Sequence, residues 1–372
     1  MDAKNKRLLS LDALRGADML AIMGLSTLMT AICGALGCGD GWFAHQFHHA
    51  KWDGLFFQDT IFPLFLFLAG VSFPYSCAKS TSLGMTRGQV AFKALKRAAA
   101  LFALGMLYNG VLRVGLGKLV WGSVLARIGI AWFLAALAYL YLSAKARIGL
   151  AAAILLGYWA AMVAFAAPDH PGALPLTPEG NISGYLDRLL LPGALTVPGV
   201  YSNQGTLSTL PAVVTAMLGM FAGDYVRSSQ DAGGMKVRKM FAAAICLVVA
   251  GLCVAFGFGR WSMPLNKILW STSFTLVVGG YSAAMFALFY WVIDVKGMTR
   301  WTFFFRVIGM NSITIYVAQK FIPFNAISEN IFGGAAGLLP GAWGSVLIKA
   351  GYILICWLFL LFLYRKNVFL KV

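Results

Sequence analysis

Ten apolar runs, each long enough to cross a bilayer as a helix, constrain this chain more than any other feature. They fall at 11–36, 57–80, 91–114, 121–143, 148–167, 206–226, 240–259, 268–293, 302–322 and 345–364. A helix needs about 20 apolar residues to span roughly 30 Å of hydrocarbon, so little of the 372 residues is left for a soluble domain. Only 12% of residues are charged and 60% are hydrophobic, a balance that implies lipid as the solvent. The expected fold is an all-α polytopic integral membrane helix bundle of about ten transmembrane helices. It forms one domain over 1–372, with longer loops at about 37–56, 168–205 and 323–344. The first ten residues are polar, and the first run carries Asp12, Arg15 and Asp18 with no cleavage site after it. That run therefore reads as a retained span and not as a signal peptide.

Charge gives the bundle a polarity. An even number of spans puts both termini on one side, and that side collects twenty Lys and Arg, from Lys4, Lys6 and Arg7 to Lys371. The opposite side holds six: Lys51, Arg113, Lys118, Arg188, Arg260 and Lys267. Cytoplasmic loops carry the excess of Lys and Arg, so both termini are expected inside. The same rule accounts for the net charge of +17 without invoking nucleic acid. The six cysteines lie mostly in apolar runs with no CxxC and no metal-type spacing, and read as small core residues. No internal repeat appears, which weighs against a transporter built from repeated halves. A short amphipathic helix is expected around 185–191, and Asn181-Ile-Ser183 reads as a glycosylation sequon on the outer side.

Polar groups inside a membrane domain are costly, so each is a candidate for function or for holding helices together. Asp12, Arg15 and Asp18 are three apart and share a helical face, either as an ion-pair network or as a site for an anionic ligand from the cytosol. The loop after the first run holds His45, His48 and His49, three of the four histidines, and histidine suits proton transfer near neutral pH. His45 and His49 would align on a helix, but two ligands without a third make a poor metal site; interfacial aromatics and histidines are the plain alternative. Asp59 follows one turn below, where it either orients a histidine or caps its own helix. Pro63 nearby frees backbone carbonyls. Asn109, Arg127, Asn266, Arg306, Asn311, Ser312, Tyr316 and Gln319 complete the buried polar set, with Asn311 and Ser312 near the middle of the ninth run.

Several of these residues lie in motifs that occur in a fixed order: Ser10-Leu-Asp-Ala-Leu-Arg-Gly16, His49-Ala-Lys-Trp-Asp-Gly54, Asp59-Thr-Ile-Phe-Pro63, Leu125-Ala-Arg-Ile-Gly129, Pro264-Leu-Asn-Lys-Ile-Leu-Trp-Ser271, Asp294-Val-Lys-Gly297 and Gly309-Met-Asn-Ser312. The set, running from about residue 7 to 322, resembles the membrane domain of the heparan-α-glucosaminide N-acetyltransferase family in a form without the large extracytoplasmic N-terminal region. The resemblance implies a transmembrane acyltransferase that takes acetyl from cytosolic acetyl-CoA, a co-substrate, and delivers it to an amino sugar or sugar hydroxyl on the other side. The family's catalytic histidine falls on His49, and a membrane-embedded asparagine of the family falls on Ser26. On this reading His49, Asp59 and Asn311 are catalytic, with Asn311 or Arg127 stabilising the oxyanion. Arg15, Asp12, Arg127, Asn266 and Ser312 bind the donor, and Arg97 and Arg300 are further candidates for its phosphates. No metal is expected. The partners implied are acetyl-CoA, a saccharide acceptor and membrane lipid, with a homodimer as the candidate oligomer and the bacterial inner membrane as the location. A transporter or flippase for a sugar or lipid-linked sugar is the alternative.

Overall fold

A computed structural model describes residues 8–370; Lys4, Lys6, Arg7 and Lys371 of the charge count lie outside the described residues. The first segment is α1 (Leu9–Leu20), a π turn at Ala21–Leu25 and α2 (Ser26–Ala35). A short α3 (Trp42–His45) precedes the long α4 (Phe57–Ser82) and α5 (Arg87–Tyr108). One turn, α6 (Val111–Val114), leads to the hairpin of α7 (Val124–Tyr141) and α8 (Ala144–Ala164). The following loop holds α9 (Ile182–Leu190), near the short helix expected there, before α10 (Thr209–Ser228), α11 (Gly233–Phe256) and α12 (Thr272–Phe289). The last four helices are α13 (Thr302–Met310), α14 (Ser312–Phe321), α15 (Phe324–Gly337) and α16 (Trp343–Arg365).

Among the described residues, eight helical segments are long and apolar enough to cross a membrane, and the chain is an all-α, multi-pass membrane bundle. Two of the ten expected spans depart from that form. α5 has full length, but Arg87, Lys93, Lys96 and Arg97 occupy its first half, so only its second half is continuously apolar. The run at 302–322 breaks at Asn311 (φ −122°, ψ 26°) into helices of nine and ten residues. The expected loop at 323–344 is also mostly helical: α15 packs on α16, where Ser328 donates to the Ile348 carbonyl at 2.7 Å.

Close helix contacts explain why the motifs converge. A Cβ on Gly16 would strike the Phe305 carbonyl, and one on Gly309 would strike the Asp12 carbonyl. α1 and α13 therefore touch backbone to backbone, which joins the first motif to the last. Without a hydrophobic driving force between helices in lipid, such small-residue seams are a main source of association. Hydrogen bonds then define two ends. At one, the starts of α7 and α10 meet through Arg127 and Ser208, and Tyr158 of α8 donates to the Leu269 carbonyl before α12. At the other, Tyr139 and Arg147 contact Asp224, and the Ser10 amide donates to Asp294.

Candidate active site

The segment ahead of α12 is built to hold one lysine. Asn266 accepts from the Leu269 amide (2.9 Å), while Ser271 donates to the Pro264 carbonyl (2.8 Å) and caps α12 at Phe274 (3.2 Å). Trp270 sits at φ +50°, an uncommon conformation for a bulky residue. Its buried indole donates to Thr215 at 3.1 Å. Two further bonds tie this loop to the histidine loop, Gly54 amide to Leu265 carbonyl (2.8 Å) and Asn266 to Asp53 (3.3 Å).

Lys267 consequently meets His49 and Asp59. His49 Nδ1 lies 2.8 Å from Asp59 Oδ1 and 3.0 Å from Lys267 Nζ, and Lys267 lies 3.3 Å from the same Asp59 oxygen. Asp59 Oδ2 accepts from the amides of Ala50 and Phe56, both at 3.2 Å. The carboxylate thus fills both roles that its position left open, orienting the histidine and closing the first turn of α4. One ring nitrogen carries at most one proton, so Nδ1 either donates to Asp59 or accepts from Lys267. The first choice leaves Nε2 free as a base. Burial pushes the Lys267 pKa down, against the opposite pull of Asp59.

These three residues open on a cavity of about 460 Å³ that Gln58, Arg127 and Trp270 also line. Arg127 donates to Ser208 (2.5 Å) and the Gly205 carbonyl (3.3 Å), and its guanidinium lies 5.2 Å from the Trp270 ring centroid. Its Nε has no hydrogen-bond partner among the described residues. Asp187, buried, fastens the loop that Arg127 grips by accepting from Thr206 and the Ser202 amide; burial raises its carboxyl pKa. Gln58 receives the Ser26 hydroxyl at 2.5 Å. At the position where the family resemblance points to an asparagine, a serine therefore holds a carboxamide supplied by α4.

A second cavity, about 270 Å³, is lined by Arg15, Arg97, Asn311 and Ser312. Arg15 donates to the Leu68 carbonyl (3.1 Å) and to Ser72 (2.9 Å), and the buried Asn311 Nδ2 has no hydrogen-bond partner among the described residues. Between the two cavities lies an apolar waist of about 20 Å³. It shares Phe65 and Ile313 with the arginine cavity and Phe62 and Tyr316 with the histidine cavity.

The structure thus brings together His49, Asp59 and Arg127, and separately Arg15, Asn311 and Ser312. Asn311, at the helix break, lines the arginine cavity and not the cavity at His49. Asn266 lines neither cavity and instead builds the Lys267 loop. Asp12 and Asp18 are buried in α1 and line neither. α3 ends at His45, so His45 and His49 share no helical face. Asn181 is fully buried, accepting from the Gly184 amide as the cap of α9, which leaves no room for a glycan. Lys267 was legible only as a loop charge; its place beside Asn266 in an ordered motif was the available signal.

The chain is thus a multi-pass membrane protein with two polar chambers at different depths, joined by an apolar neck. No family model matches it. It is similar to the Homo sapiens heparan-alpha-glucosaminide N-acetyltransferase, with 25% identity over 430 aligned residues covering 100% of this chain and 61% of that protein. The Mus musculus enzyme of the same name is 25% identical over 390 residues, covering 90% of this chain and 57% of its own length. The resemblance carried by the ordered motifs is borne out along the chain, which spans about three-fifths of the length of these relatives.

Proposed function

We propose that the chain transfers an acetyl group from cytosolic acetyl-CoA to an amine or hydroxyl of a saccharide on the opposite side of the membrane. The observation that carries this reading is the series of cavities from Arg15 and Arg97, through the apolar waist, to His49. The excess of cations at the Arg147 end supports a cytosolic position for that end. The donor's diphosphate is assigned to Arg15 and Arg97, where guanidinium groups suit phosphate oxygens. Its pantetheine arm occupies the waist, and its thioester reaches the outer cavity. The similarity to two enzymes named as acetyltransferases supports the same chemistry.

His49 acts as the base. With Nδ1–H donated to Asp59, Nε2 takes a proton from the acceptor nitrogen or oxygen as that atom bonds to the thioester carbon. Arg127 faces the developing oxyanion from the same cavity. When the tetrahedral intermediate collapses, the C–S bond breaks and the sulfur recovers the proton from His49. A route through an acetylated His49 uses the same atoms in two steps. The test is purified protein in proteoliposomes, with labelled acetyl-CoA at the cytosolic end and an amino sugar at the other. Labelled acetyl is expected on the sugar, and His49→Ala should slow transfer on the order of 10³-fold. Full transfer by that variant would sink the mechanism; sugar uptake without any acyl donor would point to transport instead.

A further inference from the structure

The end of α2 brings two cysteines together. Gly37 follows the helix at φ +71°. Its amide donates to the Gly34 carbonyl at 3.2 Å, and the Cys38 amide donates to the Cys33 carbonyl at 2.9 Å. Two such bonds around a left-handed glycine make a helix end in which the residue after the glycine packs on the one five before it. Two apolar side chains ordinarily make that contact. Here both are thiols, and the two side chains are hydrogen-bonding neighbours. The 2.9 Å bond also limits the two Cα atoms, by standard bond lengths, to less than about 7 Å of separation, the distance within which a disulfide can close. Cys33 is buried and Cys38 exposed, whereas the other four cysteines lie within α4, α11 and α16. The Cys38 carbonyl in turn accepts from the Gly41 amide at 3.0 Å, one residue before α3, so the pair stands where the chain leaves α2 for His49.

We propose that Cys33 and Cys38 are a disulfide-forming pair on the outer side of the membrane, a covalent staple at the root of the histidine loop. The inference rests on the sidedness assigned above and not on acetyl transfer, because disulfides persist in oxidising compartments outside the cytosol. The exposed Cys38, as thiolate, attacks the disulfide of an outer-compartment dithiol–disulfide carrier; one carrier thiol leaves and a mixed disulfide remains. Cys33 then gives up its proton and attacks the Cys38 sulfur, releasing the second carrier thiol. Two thiols of the chain are oxidised, and one carrier disulfide is reduced to a dithiol that keeps both protons. The bond fixes the path from α2 into α3 in the form that the glycine turn already selects.

The test blocks free thiols with a membrane-permeant maleimide in intact cells expressing the full chain, before lysis, and then digests the protein with trypsin. Cleavage after Arg15 and Lys51 leaves both cysteines in one fragment, 16–51, which contains no other Lys, Arg or Cys apart from its terminal Lys51. That fragment should carry no maleimide and weigh two hydrogens less than its reduced form; reduction before labelling should let both cysteines react. A fragment alkylated in cells without reductant would overturn the disulfide and leave the transfer reading standing. Cys33→Ser should open Cys38 to an impermeant maleimide added outside. Labelling of that variant from the cytosolic side alone would overturn the sidedness, and the transfer reading with it. Reductant should lower the thermal midpoint of the unaltered protein by a few degrees and leave that of Cys33→Ala with Cys38→Ala unchanged; an equal response in both would overturn the staple.

Discussion

The cavity at His49 and the chamber at Arg15 and Arg97 are both polar volumes in an apolar bundle, yet they treat charge in opposite ways. At His49 an acid, a cation and an imidazole share a triangle with sides of 2.8 to 3.3 Å. Its charges answer one another, and what is left adjustable is the place of a proton. The chamber at Arg15 and Arg97 is lined by two guanidinium groups beside the Asn311 amide and the Ser312 hydroxyl, and among the described residues no carboxylate lines it. A bundle with both kinds of chamber can hold a charged donor at one depth and move a proton at another.

Three substitutions break that division if it is wrong. The largest effect is expected for Asp59→Asn, which removes the charge that fixes the Nδ1 proton: transfer should fall roughly 10²-fold while acetyl-CoA affinity stays within about twofold. Equal loss of both would mean that the triangle also builds the donor site. Next, Lys267 with its lowered pKa loses its proton below the ordinary value of 10.5. Neutral, it becomes a rival acceptor for the His49 Nδ1 proton, so activity should decline on an alkaline limb lying under that value. Lys267→Arg keeps its charge throughout and should lose the limb; a pH profile that retains it would assign the limb to another group. Arg15→Gln should weaken acetyl-CoA binding about tenfold but preserve transfer at saturating donor, read as a change in KM with kcat held.

The smallest effect lies outside both chambers. Arg188 pairs with Asp169 through bonds of 2.6 and 2.7 Å, and Arg188 holds the Asp169 pKa below its ordinary 3.8. An acid whose pKa is depressed by folding lends stability that is present above the ordinary value and fades as pH falls below it. Asp169→Asn should cost less than about 1 kcal/mol at neutral pH and nothing in acid. Thermal unfolding at both pH values checks this, and Arg188 retains its bond to the Val200 carbonyl in either case.

Span positions were legible because lipid demands long apolar runs, and that demand leaves a mark no packing detail can hide. His49 and Asp59 were legible because they lie ten residues apart, joined by one short loop. The surroundings of Asn311 were not legible, for the opposite reason. Its depth in the ninth run placed it near the middle of the bundle, but the chamber it faces depends on the break in its own helix and on the Gly16–Gly309 seam, neither of which periodicity records. Lys267 escaped notice because 218 residues separate it from His49, and only the folded loop around Trp270 closes that distance. α5 departs from the expected form because Arg87, Lys93, Lys96 and Arg97 fill its first half, and a charge count used for orientation did not record that.

The apolar waist has an electrical consequence. With about 20 Å³, it has room for about one water molecule, and its lining from Phe62 to Ile313 offers such a water few partners. A hydrophobic constriction of that kind stays dry and stops ions as a closed channel gate does. The neck is on that ground expected to oppose ion leak across the bundle. On the proposed reading, a donor arm that threads the waist must first part these side chains, and only an arm uncharged along its length could do so.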